Sequence, residues 1–190
     1  MNFQYFIILS FFIISGLVSC KNDSVSYSET NNIDDTSGSE IPVLNLREEN
    51  ETGELLTIEI SVLQNFTELP VNGAKIVLYH ADVNGDYLPE IPGDETTAKY
   101  SGTIFTSKHG KSILKIIVPR KYESNGNQHI HLHSVSAEGY EAKGGVILFE
   151  HDVNDEIREW ANDTGFGFII KLTECSEGKT GNLTIHLNKK

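Results

Sequence analysis

Short runs of β-branched and aliphatic residues recur throughout the chain after residue 54, and Gly, Asn, Asp or Pro separates each run from the next. Such runs favour β-strands and the separators favour tight turns, for example at Asn72-Gly73 and His109-Gly110. The pattern predicts strands at 55–63, 74–80, 102–106, 112–118, 130–136, 145–150, 166–172 and 182–187. Because no long helices alternate with these strands, we expect an all-β fold, an antiparallel β-sandwich with long loops and at most one short helix, at 154–162.

The N-terminal segment has the composition of an export signal. Residues 1–19 carry no charged side chain and are mostly apolar, but the run is short for a membrane span. Leu17-Val18-Ser19-Cys20 resembles the lipobox of bacterial lipoproteins, in which the signal is removed before a cysteine that receives lipid. We therefore expect a signal peptide at 1–19, lipid on Cys20, and a lipoprotein of the bacterial cell envelope, at the outer membrane on its periplasmic or its surface face. The alternative is an uncleaved N-terminal anchor helix.

Composition divides the remaining chain into a tether and one domain. Residues 20–48 begin with a stretch of Ser, Asn, Asp, Thr and Glu, which cannot bury enough apolar surface to fold, so we expect a flexible tether there and a domain at 49–190. With Cys20 lipidated, Cys175 has no intrachain partner for a disulfide. The net charge of −12 argues against nucleic acid or anionic lipid as the main partner. The sequence leaves the oligomeric state open.

Three histidines alternate with aliphatic residues in Gln128-His129-Ile130-His131-Leu132-His133. In a strand, residues two apart point to the same face, so the three imidazoles share one side while Ile130 and Leu132 face the opposite layer. Imidazoles presented in this way can form half of a metal site. The alternative is a row of solvent-exposed histidines.

Further segments between 57 and 172 surround this motif in a recognisable order. They are Pro70-Val71-Asn72-Gly73-Ala74, His80-Ala81-Asp82, Asn84-Gly85-Asp86-Tyr87, Gly102 with the turn at Ser107-Lys108-His109-Gly110, Pro119-Arg120-Lys121-Tyr122, His129-Ile130-His131, and Ala137-Glu138-Gly139-Tyr140 with Leu148-Phe149. This succession resembles the intradiol ring-cleavage dioxygenases, the family of catechol and protocatechuate dioxygenases. The resemblance implies a β-sandwich of the prealbumin or transthyretin type.

The resemblance also implies a ligand set and a reaction. Tyr87, Tyr122, His129 and His131 would bind Fe(III), with two phenolates and a hydroxide balancing the three positive charges and two neutral imidazoles completing the shell. Tyr122 would leave the metal and help to take a proton from the substrate. The substrate would be a small aromatic diol, opened by O2 between its two hydroxyl-bearing carbons without an organic cofactor.

Two positions depart from the family's pattern. Gly126 stands where the family usually has an arginine that stabilises charge on the bound ring, and Val146 stands where a glutamine often supports that arginine. Arg120 and Lys121 lie beside Tyr122, so we expect either cation to substitute for the arginine as a catalytic residue. The alternative is that both are solvated charges at a strand end.

The sequence is also compatible with two other functions. One is a non-catalytic binding module of the transthyretin-like or carboxypeptidase-regulatory-like type, and another is a metal-binding relative without turnover. The acidic segment 82–86 has the one, three, five spacing of a calcium loop, but Gly85 stands at the fourth position and Gly93 replaces the glutamate of the twelfth, so it is interpreted as a turn. We expect His80 to have a packing or hydrogen-bonding role, and His133 either to line the pocket or to face solvent.

Overall fold

The computed structural model describes residues 40–121 and 126–190. The predicted signal peptide, Cys20 and Tyr122 lie outside these residues. The described chain contains ten strands, one α-helix and two short 3-10 turns. The strands are β1 (Val43–Asn45), β2 (Leu55–Gln64), β3 (Lys75–His80), β4 (Tyr100–Phe105), β5 (Lys111–Ile117), β6 (His129–Ser136), β7 (Lys143–Phe149), β8 (Gly167–Ile170), β9 (Leu172–Cys175) and β10 (Gly178–Leu187). The 3-10 turns are Glu95–Thr97 and Glu150–Asp152, and the helix α1 is Asp155–Thr164.

Ten strands form two five-stranded sheets. One sheet has the order β1-β5-β2-β10-β9 and the other has the order β4-β3-β6-β7-β8. Each sheet presents alternate apolar side chains to the other, as in β2, where Leu56, Ile58, Ile60 and Val62 are buried. The predicted all-β sandwich with one short helix is therefore confirmed.

Both sheets are mixed, which differs from the purely antiparallel arrangement expected. The parallel pairs are β1 with β5, β2 with β10, and β7 with β8. Parallel neighbours need a long connection, and α1 provides it between β7 and β8. This crossover packs tightly, because a Cβ added at Gly167 would lie 2.4 Å from the Cβ of Ala161 in α1.

Differences from the predicted elements are local. The predicted strand 166–172 is divided into β8 and β9, which belong to different sheets, so the chain changes sheet near Lys171. The strand β1 lies within the range expected to be tether and pairs with β5. The turn glycines Gly73 and Gly110 have φ angles of 65° and 70°, as their sequence context predicts.

The helix α1 begins after Asn154, whose side chain accepts a hydrogen bond from Ile157 N–H, and ends at Gly165 in the left-handed conformation. In residues 40–121 and 126–190, no helix is long and apolar enough to cross a membrane.

Candidate metal centre

The strand β6 presents two of the three predicted histidines at one end of its sheet. Ile130 and Leu132 are buried in the core, so His129 and His131 point to the opposite face, as the strand period predicts. His133 does not continue the row. The pairing of β6 with both β3 and β7 shifts register next to His133, and its side chain is exposed.

Tyr87 reaches the same face from the loop between β3 and β4. The carboxylate of Asp82 holds this loop by accepting hydrogen bonds from Asn84 N–H at 2.7 Å and Asp86 N–H at 2.9 Å. Burial alone would raise the pKa of Asp82, but these backbone hydrogen bonds outweigh it and hold the pKa below its usual value. The acidic segment is thus a turn built around Asp82, and it positions the tyrosine that follows.

Three donor atoms converge where these elements meet. The Tyr87 hydroxyl oxygen lies 3.1 Å from His129 Nε2 and 2.9 Å from His131 Nε2, and the two nitrogens are 3.0 Å apart. Ligand atoms about 2.0–2.2 Å from one metal ion and at right angles to each other lie roughly 3 Å apart. The triangle therefore has the dimensions of one face of a metal coordination shell.

A backbone carbonyl determines which nitrogen of His129 is free to bind a ligand. His129 Nδ1 lies 2.7 Å from Asn127 O, and because a carbonyl only accepts, Nδ1 carries the proton. In the neutral imidazole the lone pair is then on Nε2, which faces Tyr87 and His131. Metal-ligating histidines usually have an outer partner of this kind, which orients the ring.

His131 is held neutral and is flanked by an aromatic and an apolar residue. Burial, together with the neighbouring His129, lowers the pKa of His131 to about 4. In the register of the sheet, Tyr79 on β3 and Val146 on β7 are its cross-strand partners. The Tyr79 ring stacks on the imidazole with centroids 4.6 Å apart and planes 13° from parallel, so the orientation of His131 is set by packing as well as by backbone.

Tyr79 lies between the triangle of donor atoms and the carboxylate of Glu95. Its ring also meets Tyr87 edge-on at 5.8 Å, and its hydroxyl donates to Glu95 Oε2 at 3.4 Å. Burial and the charge of Glu95 raise the pKa of Tyr79, so Tyr79 stays a neutral phenol. Sequence reasoning missed this residue because only the register of β3 against β6 places it on His131.

Asp152 contacts residues that precede and follow segment 122–125 in the chain. Its Oδ1 lies 2.6 Å from Lys121 Nζ and its Oδ2 accepts from Gln128 N–H at 2.7 Å. Its backbone carbonyl accepts from the Asn127 side chain, and Asn127 in turn orients His129. Burial would raise the pKa of Asp152, but the hydrogen bonds from Lys121 and Gln128 keep it below its usual value. No sequence signal identifies Asp152, because it lies far along the chain from the residues it holds.

The described contacts of the two predicted catalytic cations are with other residues. Lys121 is paired with Asp152, and the side chain of Arg120 is exposed while its backbone N–H donates to Asp82 O at 3.1 Å. Tyr87, His129 and His131 come together, and Tyr122 is outside the described residues. His80 is buried behind the site, where it stacks on Tyr100.

Asp152→Ala is expected to weaken metal binding by about tenfold, the lower end of the effect of losing an outer partner of a metal ligand. The variant keeps the backbone carbonyl that holds the Asn127 side chain, but Gln128 N–H and Lys121 lose the carboxylate that fixes the backbone next to His129. The measurement is a competition titration against a chelator of known affinity. Glu150→Ala, an exposed residue in the same 3-10 turn, is the matched control and should retain the parental affinity. Equal affinities in the two variants would contradict the role of Asp152.

The donor types present favour a hard transition-metal ion. Within 40–121 and 126–190, no three His, Cys, Asp or Glu side chains form a metal-binding group, so an ion at this site depends on tyrosine oxygen as well as on imidazole nitrogen. Phenolate oxygen and neutral imidazole together suit ferric iron, because the negative oxygen offsets part of its charge. The residues present therefore fit that metal.

Solved structures share this fold at low sequence identity. The dioxygenase domain of a dioxygenase and carbohydrate-binding protein fusion from Streptomyces sp. SirexAA-E is 22% identical with a TM-score of 0.60, and the match covers 77% of this chain and 87% of that one. An intradiol ring-cleavage dioxygenase from Tetranychus urticae is 20% identical with a TM-score of 0.59, covering 79% and 88%. A 3-chlorocatechol 1,2-dioxygenase from Rhodococcus opacus is 18% identical with a TM-score of 0.58, covering 78% of this chain but only 64% of that longer one.

No protein-family model and no curated protein matches the chain. The structural likeness therefore establishes the fold that the sequence motifs suggest, and the chemistry depends on the residues described above.

Proposed function

Since the chain has the fold of the intradiol ring-cleavage dioxygenases, we propose that it is a non-heme Fe(III) dioxygenase that opens a catechol-type ring between its hydroxyl-bearing carbons using O2. Tyr87, Tyr122, His129 and His131 are the proposed ligands. We also propose that the domain is exported and anchored in the bacterial cell envelope through lipid on Cys20.

The observation that carries this proposal is the convergence of Tyr87, His129 and His131 within 2.9–3.1 Å of one another. The three residues come from two separate parts of the chain, and each has its own supporting contact: Asp82 for the Tyr87 loop, Asn127 for His129 and Tyr79 for His131. Because three independent contacts hold the three donor atoms in one place, the arrangement favours a ligand-binding site over a row of solvent-exposed histidines.

The protein's own residues would bind and orient the substrate. Bound ferric iron would supply the positive centre that both catechol oxygens bind and that makes the ring reactive towards O2. Tyr79 and Val146 flank His131. Their side chains would exclude water from one side of the bound catechol ring. The phenolate oxygen of Tyr122 would accept a proton from a catechol hydroxyl.

Iron loading tests the proposal directly. Protein reconstituted with ferric iron should be red-brown, because phenolate bound to ferric iron absorbs visible light, and it should consume O2 in the presence of catechol, protocatechuate or hydroxyquinol. Tyr87→Phe and Tyr122→Phe should each weaken and shift the visible band, because one phenolate ligand remains in each variant. A colourless protein that retains no iron after reconstitution would disprove the iron site.

A metal-binding relative without turnover is the second candidate, and one observation favours it. Gly126 and Val146 supply neither the charge nor the hydrogen bonds expected beside the substrate, and Lys121 is engaged by Asp152. Coloured protein that consumes no O2 with any of the three diols would support this candidate. If Arg120→Ala and Lys121→Ala both leave ring-cleavage rates unchanged, neither cation substitutes for the missing arginine.

A further inference from the structure

The loop that carries Tyr87 is strongly acidic. Residues 81–99, between β3 and β4, contain five carboxylates and a single lysine, giving a net charge of −4. The carboxylates are those of Asp82, Asp86, Glu90, Asp94 and Glu95. A charged substituent on a substrate bound beside this loop would therefore experience a negative potential.

Nearby lysines are already neutralised by carboxylates. Lys99 Nζ lies 3.0 Å from Glu48 Oε2, and Lys121 Nζ lies 2.6 Å from Asp152 Oδ1. Arg120 precedes Lys121 in the chain, and its side chain is exposed. Its single charge offsets at most one of the four net negative charges of residues 81–99, since Lys99 is already counted in that total.

Among the five carboxylates of this loop, Glu95 has a described side-chain contact with Tyr79, the residue that stacks on His131. The side chain of Asp82 is occupied by the turn, and that of Asp94 accepts from Thr96 N–H at 3.1 Å and from Thr96 Oγ1 at 2.6 Å. Glu95 is exposed and has no ion pair within the described chain, and the described contact of its carboxylate is the Tyr79 hydroxyl. Since Tyr79 stacks on His131, the Glu95 carboxylate lies one aromatic ring away from the donor atoms.

We propose that the diol bound at this site carries a cationic substituent, such as a primary ammonium group, and that Glu95 attracts that group. The inference rests on the proposed function, because it assumes that a catechol binds at the Tyr87, His129 and His131 triangle. Tyr79 and Val146 would contact the ring, and the substituent would extend towards residues 94–95. A carboxylate at the same place would be repelled.

Anaerobic titration of the iron-loaded protein measures this preference without turnover. The three ligands are dopamine, dihydrocaffeate and ethylcatechol, which carry a positive, a negative and no charge on side chains of similar length. Dissociation constants come from the change in the visible absorption band. Because a charge about 10 Å away is only partly screened, dopamine should bind roughly tenfold tighter than dihydrocaffeate, with ethylcatechol between them.

Two variants and a change of ionic strength test whether the preference for dopamine arises from charge or from the shape of the substituent. Glu95→Gln should reduce the ratio of the dopamine affinity to the ethylcatechol affinity about threefold, whatever its effect on ethylcatechol binding itself. Glu138→Gln, an exposed residue beyond the opposite end of β6, should retain the full preference. Raising the ionic strength from about 0.02 M to about 0.5 M should also reduce the preference for dopamine, because the Debye length shortens as the salt concentration rises.

The outcomes distinguish the two proposals. If ethylcatechol does not bind the iron-loaded protein, the proposed function fails. If ethylcatechol binds while dihydrocaffeate binds as tightly as dopamine, only the charge preference is overturned. A dopamine preference that Glu95→Gln leaves intact would also overturn the role of Glu95.

Discussion

His131→Ala is expected to lower the affinity for ferric iron by more than about 100-fold, because losing even an outer partner of a ligand costs about 10–100-fold and His131 is proposed to contact the metal itself. The substitution removes one corner of the triangle with Tyr87 and His129, and it also removes the ring on which Tyr79 stacks. Iron affinity, measured by chelator competition, and the loss of the visible band both report the effect.

His133→Ala is the matched control for this experiment. It removes an imidazole from the same strand, but His133 is exposed and lies at the shift in register. Its iron affinity should equal that of the parent protein. If His133→Ala weakens binding as much as His131→Ala, the histidine row acts as a diffuse surface site and the triangle is not the metal centre.

Acid is expected to destabilise the metal-free fold through His80, by about 3 kcal/mol between pH 6.5 and pH 4. His80 is fully buried, and this burial lowers its pKa from 6.5 to about 4. The unfolded chain therefore takes up the proton first as the pH falls. The stabilisation from neutral His80 is complete above pH 6.5 and is lost progressively as the pH falls towards 4.

His80→Phe isolates this contribution. Phenylalanine retains a flat ring against Tyr100 and cannot take up a proton, and it removes the buried Nε2, which has no hydrogen-bond partner in the described structure. Urea titrations across the pH range should show a shallower fall in the free energy of unfolding for this variant than for the parent. His131 titrates in both proteins, so it cancels in the comparison. Parallel curves for the two proteins would contradict the prediction, and His80→Leu provides a second test if the phenylalanine variant is poorly folded.

Fold class was predictable because burial on one face of a strand produces a local pattern. In β2 and β6 the buried residues alternate with the others, and turn glycines such as Gly110 lie where positive φ is required. Sheet order and the parallel pairs were not predictable in this way. They depend on which strands meet after long connections, and α1 between β7 and β8 is one example.

Some residues of the candidate site were likewise predictable from the sequence, and others were not. Strand periodicity placed His129 and His131 on one face, and the order of the motifs added Tyr87. The contacts of Tyr79, Asp152 and Glu95 were missed, because a cross-strand register and a distant 3-10 turn determine them. His133 had the right spacing and is exposed, since a shift in register interrupts the period.

The sequence by itself determined the types of donor atom available and the order in which they occur along the chain. Only the tertiary structure decided which of them meet. Tyr87 and His131 are 44 residues apart, and their 2.9 Å contact exists because the Asp82 turn and the register of β3 against β6 bring a loop and a strand to the same end of one sheet. Short-range patterns record the local backbone, whereas the distance between two side chains also depends on every element packed between them.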